Sequence, residues 1–316
     1  MAAGGWTARS GKQAASRTVS ATKGAAANVR SWRVDQIRRN VVTLALIGCL
    51  VATASVVGVF GGPDIRDQAI MAPDRSLVSP GSYSIFLWAP IYLGLIGYTV
   101  HQWLPSQQDS PRHRGLGWIV TAAMLLTLGL ALSVQSSELA LSLVLLGLLL
   151  GVLLLSLRWL NHWSAATRLE GTLVDTPLGL FLGWTGFTAL THTAAVLSEQ
   201  SIDWLGAGGF VWALVGLGVL VIGGCVVCST DRGRIAVALA IVWGLGFILI
   251  ERLIGQPMSL PAAAVTALAG FLVLITAGSR RHRIDHSYRR ALRARQTAAL
   301  PPLDLAEDED PWDDER

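Results

Sequence analysis

Two stretches of the chain gather side chains that could hold a ligand. In "SPGSYSIFLWAPIYLGLIGYTVHQWLPS", residues 79–106, Trp88 and Tyr92 stand four apart with Pro90 between them. At 3.6 residues per turn, Trp88, Tyr92, Leu95 and Thr99 share one helix face. In "TPLGLFLGWTGFTALTHTAAVL", residues 176–197, Trp184, Thr188, Thr191 and His192 fall on one side. Flat aromatic rings stack on planar or amphiphilic molecules, and hydroxyls and an imidazole orient them through hydrogen bonds. The competing reading is that the threonines and His192 only stitch helices together. Pro90 has no N–H, so the carbonyl of Phe86 loses its helical partner. A kink there is expected, turning Trp88 and Tyr92 inward. A third candidate, Cys225 and Cys228 in "CVVC", has no second cysteine pair and no neighbouring histidine, and reads as small buried hydrophobes.

The elements that must position these residues are membrane-length. The chain has 316 residues, 52% hydrophobic and only 15% charged, unlike a soluble domain of this size. About 20 apolar residues cross a hydrocarbon core. Eight such runs are expected: 41–60, 84–104, 115–135, 138–157, 177–198, 208–228, 234–251 and 260–278. The third and fourth are close enough to form a helical hairpin. Placing the N-terminus in the cytoplasm leaves only Arg66, Arg75 and Arg252, of 25 basic residues, in outer loops. That asymmetry predicts a multi-pass protein of the cell inner (plasma) membrane with both termini cytoplasmic. The fold class is therefore an all-α polytopic transmembrane bundle.

The ends differ in character. Residues 1–40 are basic, rich in Ala, Gly and Ser, and are expected to form a disordered cytoplasmic tail. Residues 279–316 combine a basic stretch, "RRHRIDHSYRRALRAR", with the acidic "DLAEDEDPWDDE". The basic stretch is expected to extend the last helix along the inner surface, and the acidic part to be a solvated or docking tail.

Some chemistries are disfavoured. No Asp, Glu, Lys or Arg falls near the middle of any run, whereas pumps, voltage sensors and ion-coupled carriers put ionisable groups at depth. There is no Walker loop, H-E-x-x-H or G-x-S-x-G, so the chain does not read as an enzyme.

The run "SPGSYSIFLWAPIYLGLIGY" resembles the second-helix signature of the tryptophan-rich sensory protein family (TspO/MBR, including the translocator protein). Its Pro-Gly, Phe, Trp and Tyr fall on Pro80, Gly81, Phe86, Trp88 and Tyr92. "PLGLFLGWTGFTALTH" resembles the family's fifth helix through Trp184, Phe187, Thr188 and His192. Where the family usually has Asn this chain has His192, and its third span offers Thr121 and Thr127 in place of an Asn and a Trp. The resemblance covers 41–198, a five-helix core, and leaves 199–278 as three additional helices, as in longer eight-span bacterial relatives. It implies a receptor or sensor that binds a hydrophobic ligand in the outer half of the bundle, with a tetrapyrrole among the candidates and no certain cofactor. The implied site is Phe86, Trp88, Pro90, Tyr92, Trp184, Phe187, Thr188 and His192, with the loop at 61–83 as a lid. The implied partners are the lipid bilayer and a hydrophobic small molecule; a homodimer is compatible, and no nucleic acid is expected. The alternatives are a permease for a neutral solute or lipid, and a structural protein that recruits partners through its tails.

Overall fold

The computed structural model describes residues 34–61, 64–65, 74, 76–107, 110–136, 138–199, 208–230 and 234–299. Eight helices among them are long and apolar enough to cross a membrane, and no strand occurs among the described residues. In chain order they are α1 (Val34–Val56), α2 (Trp88–His101), α3 (Pro111–Gln135), α4 (Leu139–His162), α5 (Thr176–Glu199), α6 (Gly208–Cys228), α7 (Ile235–Ile254) and α8 (Leu260–Ala299). The side where α1 starts and α2 ends carries most of the described arginines and is called the basic end; the other is the far end.

Local chemistry sets several boundaries. Proline occupies the first turn of α3, where its missing N–H has no ladder to break. The α3–α4 hairpin is as tight as expected, because only residues 136–138 join the two helices. Thr167 caps the short turn Arg168–Glu170 by accepting from the Glu170 N–H at 3.1 Å. A π-helical turn, Gly171–Asp175, then leads into α5.

Two expectations change. Helix α1 is already wound at Val34, ahead of the expected 41, because Asp35, Arg38 and Arg39 are buried against neighbouring helices instead of solvated. The rest of the basic tail, 1–33, and the acidic tail beyond 299 lie outside the described residues. Pro90 does not kink a continuous helix: Ser82–Leu87 is a 3-10 turn, and Pro90 sits in the first turn of α2, exposed. There its ring meets no i−4 carbonyl already committed to an α-helical ladder. The basic stretch after 279 continues α8 in one piece, since no glycine or proline between Ser279 and Ala299 ends it.

Helix α5 is the hub, and small residues let its neighbours approach. A Cβ at Gly94 of α2 would stand 2.1 Å from Pro177. A Cβ at Gly183 would stand 2.4 Å from the Val237 carbonyl of α7, and one at Gly179 2.9 Å from Ala236. The G-x-x-x-G of the fifth span therefore docks α7. The three later helices are thereby packed directly on the five-helix core. Trp243 of α7 adds a tie, donating its indole N–H to the Ser84 carbonyl at 2.9 Å, just ahead of α2.

Candidate functional site

Helices α1, α2, α3 and α5 enclose a cavity of about 70 Å3 in the far half of the bundle. Trp88 and Tyr92 form one wall, stacked with ring centroids 5.2 Å apart and planes 21° apart. Trp88 also meets Phe181 edge-on at 5.6 Å, which fixes the indole from behind. The opposite wall is Trp184 stacked on Phe187 at 5.3 Å. The Phe187 ring leaves no room for a side chain at Gly244, where a Cβ would stand 2.5 Å from it. So α7, from the later part of the chain, holds one wall of the cavity in place.

The polar groups are few and mostly committed. Tyr92 shares a short hydrogen bond with Thr53 and lies 3.5 Å from the Cys49 sulfur, tying α2 to α1. Thr188 donates to the Trp184 carbonyl at 2.8 Å, and Thr191 to the Thr188 carbonyl at 3.0 Å. Those threonines bond within their own helix, so neither stitches one helix to another. His192 does join helices: its Nδ1 lies 3.0 Å from the Ser142 hydroxyl of α4. Ser142 gives its single proton to the Leu139 carbonyl at 2.7 Å. With the Ser142 proton on that carbonyl, the imidazole donates from Nδ1 and Nε2 carries the lone pair. His192 lines the cavity, so an acceptor nitrogen is available there. The Trp184 indole N–H is buried and has no hydrogen-bond partner among the described residues.

Of the eight residues expected at the site, Trp88, Tyr92, Trp184, Phe187, Thr188 and His192 line this one cavity. Phe86 and Pro90 do not. Phe86 is exposed and stacks on Tyr83 at 6.2 Å, and Pro90 faces outward. Both precede or open the α-helical part of the span, where the 3-10 winding turns the face away from the α-helical register. Of the loop expected as a lid, Ile65 and Pro80 line the cavity, while 62–63, 66–73 and 75 lie outside the described residues.

At about 70 Å3 the cavity as folded is too small for a drug-sized ligand or a tetrapyrrole. Sites for drug-sized ligands run about 300–1,000 Å3. A second concavity reaches that size. A groove of about 970 Å3 runs between α5 and α6, lined by Leu154, Gly186, Leu190, Trp212, Gly216 and Val219 among others. Val219 is 68% exposed, so the groove is open along one side. Its glycines remove the side chains that would otherwise fill the gap, and Trp212, whose facing the sequence does not reveal, belongs to it.

Sequence reasoning also missed a polar network at the basic end. Arg112 reaches Glu170 at 2.6 Å and makes a short contact with Asp175. Arg114 holds Asp35 at 2.8 Å. Trp159 donates to the Arg112 carbonyl at 2.9 Å and lies flat against Gly115. The available signal was the acids: Asp35, Glu170 and Asp175 interrupt segments that are otherwise basic. Among the described residues no cluster of His, Cys, Asp and Glu has the makings of a metal site. Cys225 lies 3.4 Å from Thr276, and Cys228 is buried.

A protein-family model described as TSPO-like protein matches residues 38–278. The match extends past the five-helix core and takes in the three later helices. No curated protein and no solved structure matches the chain.

Proposed function

Since the chain belongs to the TSPO-like protein family, we propose that it is a membrane receptor for a hydrophobic or amphiphilic small molecule rather than an enzyme. The observation that carries this is convergence: Trp88, Tyr92, Trp184, Phe187, Thr188 and His192 come from two distant stretches and surround one cavity. Trp88 and Trp184 stack on the ligand, and Nε2 of His192 accepts a hydrogen bond from it. At about 70 Å3 the cavity must enlarge to bind, so ligand entry parts α2 from α5. That movement is the signal passed to the basic end. A tetrapyrrole binds only if the parting is large. The protein sits in the cell inner membrane with both termini cytoplasmic, on the strength of the arginine asymmetry.

The test is a titration of purified protein with protoporphyrin and with a smaller planar amphiphile, read by tryptophan quenching. Saturable quenching, weakened in His192→Ala, is the expected result. Non-saturable quenching, the same in parent and variant for both probes, contradicts the receptor reading.

A permease for a neutral lipid is the second reading, and the groove of about 970 Å3 favours it. An apolar groove open on one side takes acyl chains from the bilayer without a buried charge. It predicts concentration-dependent lipid transfer between the leaflets of liposomes carrying the protein, abolished by Gly216→Leu.

A further inference from the structure

Arg38 of α1 is 1% exposed, yet none of its three nitrogens makes a hydrogen bond among the described residues. Its nearest carboxylate, Asp35, lies 3.7 Å away and is already held by Arg114 at 2.8 Å. A guanidinium cannot shed its charge by deprotonating, as a buried lysine can. A buried charge of that kind needs an anion, and among the described residues it has only the Asp35 Oδ1 contact at 3.7 Å, too long for a hydrogen bond. Its stem lies against Gly117, where a Cβ would stand 2.7 Å from the Arg38 side chain, so α3 fixes its position.

The groups around it lack hydrogen bonds too, and the one carboxylate near them among the described residues is Glu170, whose Oε1 stands 3.6 Å from Nε2 of His113. His113 of α3 is fully buried, with its ring 5.9 Å from Tyr98 and 5.3 Å from His101, both on α2. Neither nitrogen of His113, nor the Tyr98 hydroxyl, nor Nδ1 of His101 has a hydrogen-bond partner among the described residues. Gln102, also fully buried, has both amide atoms unpaired. Gly117, against which the Arg38 stem lies, is one helical turn from His113 on the same face of α3. Native interiors rarely leave so many buried polar groups without partners at one place.

We infer that this cluster is a binding site for a small tetrahedral oxyanion of the phosphate class, held between α1, α2 and α3 at the basic end. Arginine's fork matches phosphate oxygens in pairs. The unbonded groups come from three helices, α1, α2 and α3, a spread that suits a tetrahedral ion better than a planar carboxylate. The amino end of α3, which carries Arg112 and His113, adds its positive dipole end. The carboxylates that could have repelled an anion are engaged: Glu170 and Asp175 by Arg112, and Asp35 by Arg114. The site is separate from the cavity at the far end. Free phosphate and a lipid phosphate share this chemistry.

The test uses the full chain in phospholipid-free detergent, with thermal unfolding followed by tryptophan fluorescence. Sodium phosphate is compared with sodium chloride at matched ionic strength, and short-chain phosphatidic acid with short-chain phosphatidylcholine. The expected result is a saturable rise in Tm with phosphate or with phosphatidic acid, absent with chloride and phosphatidylcholine. A response to phosphatidic acid alone assigns the source as lipid; a response to inorganic phosphate assigns it as the free ion. Arg38→Gln should abolish the rise. Tyr98→Phe guards against a folding defect: it removes a buried unpaired hydroxyl, so its anion-free Tm should equal or exceed the parent's while its phosphate midpoint rises several-fold. Equal Tm in phosphate and chloride, with no lipid effect, means that the cluster holds only water and overturns the proposal. A rise unchanged in Tyr98→Phe, and in Arg38→Gln if it folds, overturns it as well.

Discussion

At the far cavity, Thr188 and Thr191 return their protons to their own helix, and two bonds cross between helices, His192 to Ser142 and Tyr92 to Thr53, neither of them between α2 and α5. At the basic end, charges reach across: Arg112 of α3 binds Glu170 and Asp175 ahead of α5, and Arg114 of α3 binds Asp35 of α1. The first region can therefore change shape at small cost, because separating α2 from α5 breaks few polar bonds between helices. The second cannot, because separating its helices strands buried charge. A receptor that must open at one end and stay anchored at the other needs that division.

The comparison breaks most readily at Arg112. Arg112→Met leaves Glu170 without its guanidinium and Asp175 with only the longer contact to Arg234, and should cost about 3–5 kcal/mol. Thermal unfolding in detergent measures it, and adding Glu170→Gln should recover part of the loss. Next comes the hub. Gly183→Ala places a methyl against the Val237 carbonyl, a backbone atom that cannot rotate away. A loss of about 1–3 kcal/mol is expected, with weaker ligand quenching because α7 no longer holds Phe187. The polar crossing at the cavity is worth less. His192→Ala and Ser142→Ala should each cost about 0.6 kcal/mol, the average for an interhelical bond in a membrane. The double variant should cost little more than either alone, as a double-mutant cycle would reveal. Smallest is Pro90→Ala. An exposed proline in a first helical turn should be replaceable within about 0.5 kcal/mol, and a larger loss would restore the kink reading.

The number of helices and the faces of α2 and α5 were legible because hydropathy and 3.6-residue spacing are local properties. Trp88, Tyr92, Trp184 and His192 could be grouped from spacing and family resemblance together. The helical stretch ahead of 41 was not legible, since Asp35, Arg38 and Arg39 look solvated until Arg114, 76 positions after Arg38, is seen beside Asp35. Pro90 misled because a proline inside an apolar run signals a kink only if the turn before it is α-helical, and here it is 3-10. The groove escaped notice for a different reason. Its walls are glycine and aliphatic residues, and a gap left by missing side chains has no sequence pattern of its own.

The central claim is that ligand binds between α2 and α5 rather than in the groove beside α6. Each concavity contains one tryptophan suited to test it, Trp88 in the first and Trp212 in the second. The direct measurement is the dissociation constant of the best quenching ligand for parent, Trp88→Ala and Trp212→Ala. Loss of a stacked aromatic contact should weaken binding about tenfold in Trp88→Ala, equivalent to ~1.4 kcal/mol, and leave Trp212→Ala at the parent value. The reverse pattern, with Trp212→Ala weakened and Trp88→Ala unchanged, would contradict the account and move the site to the groove.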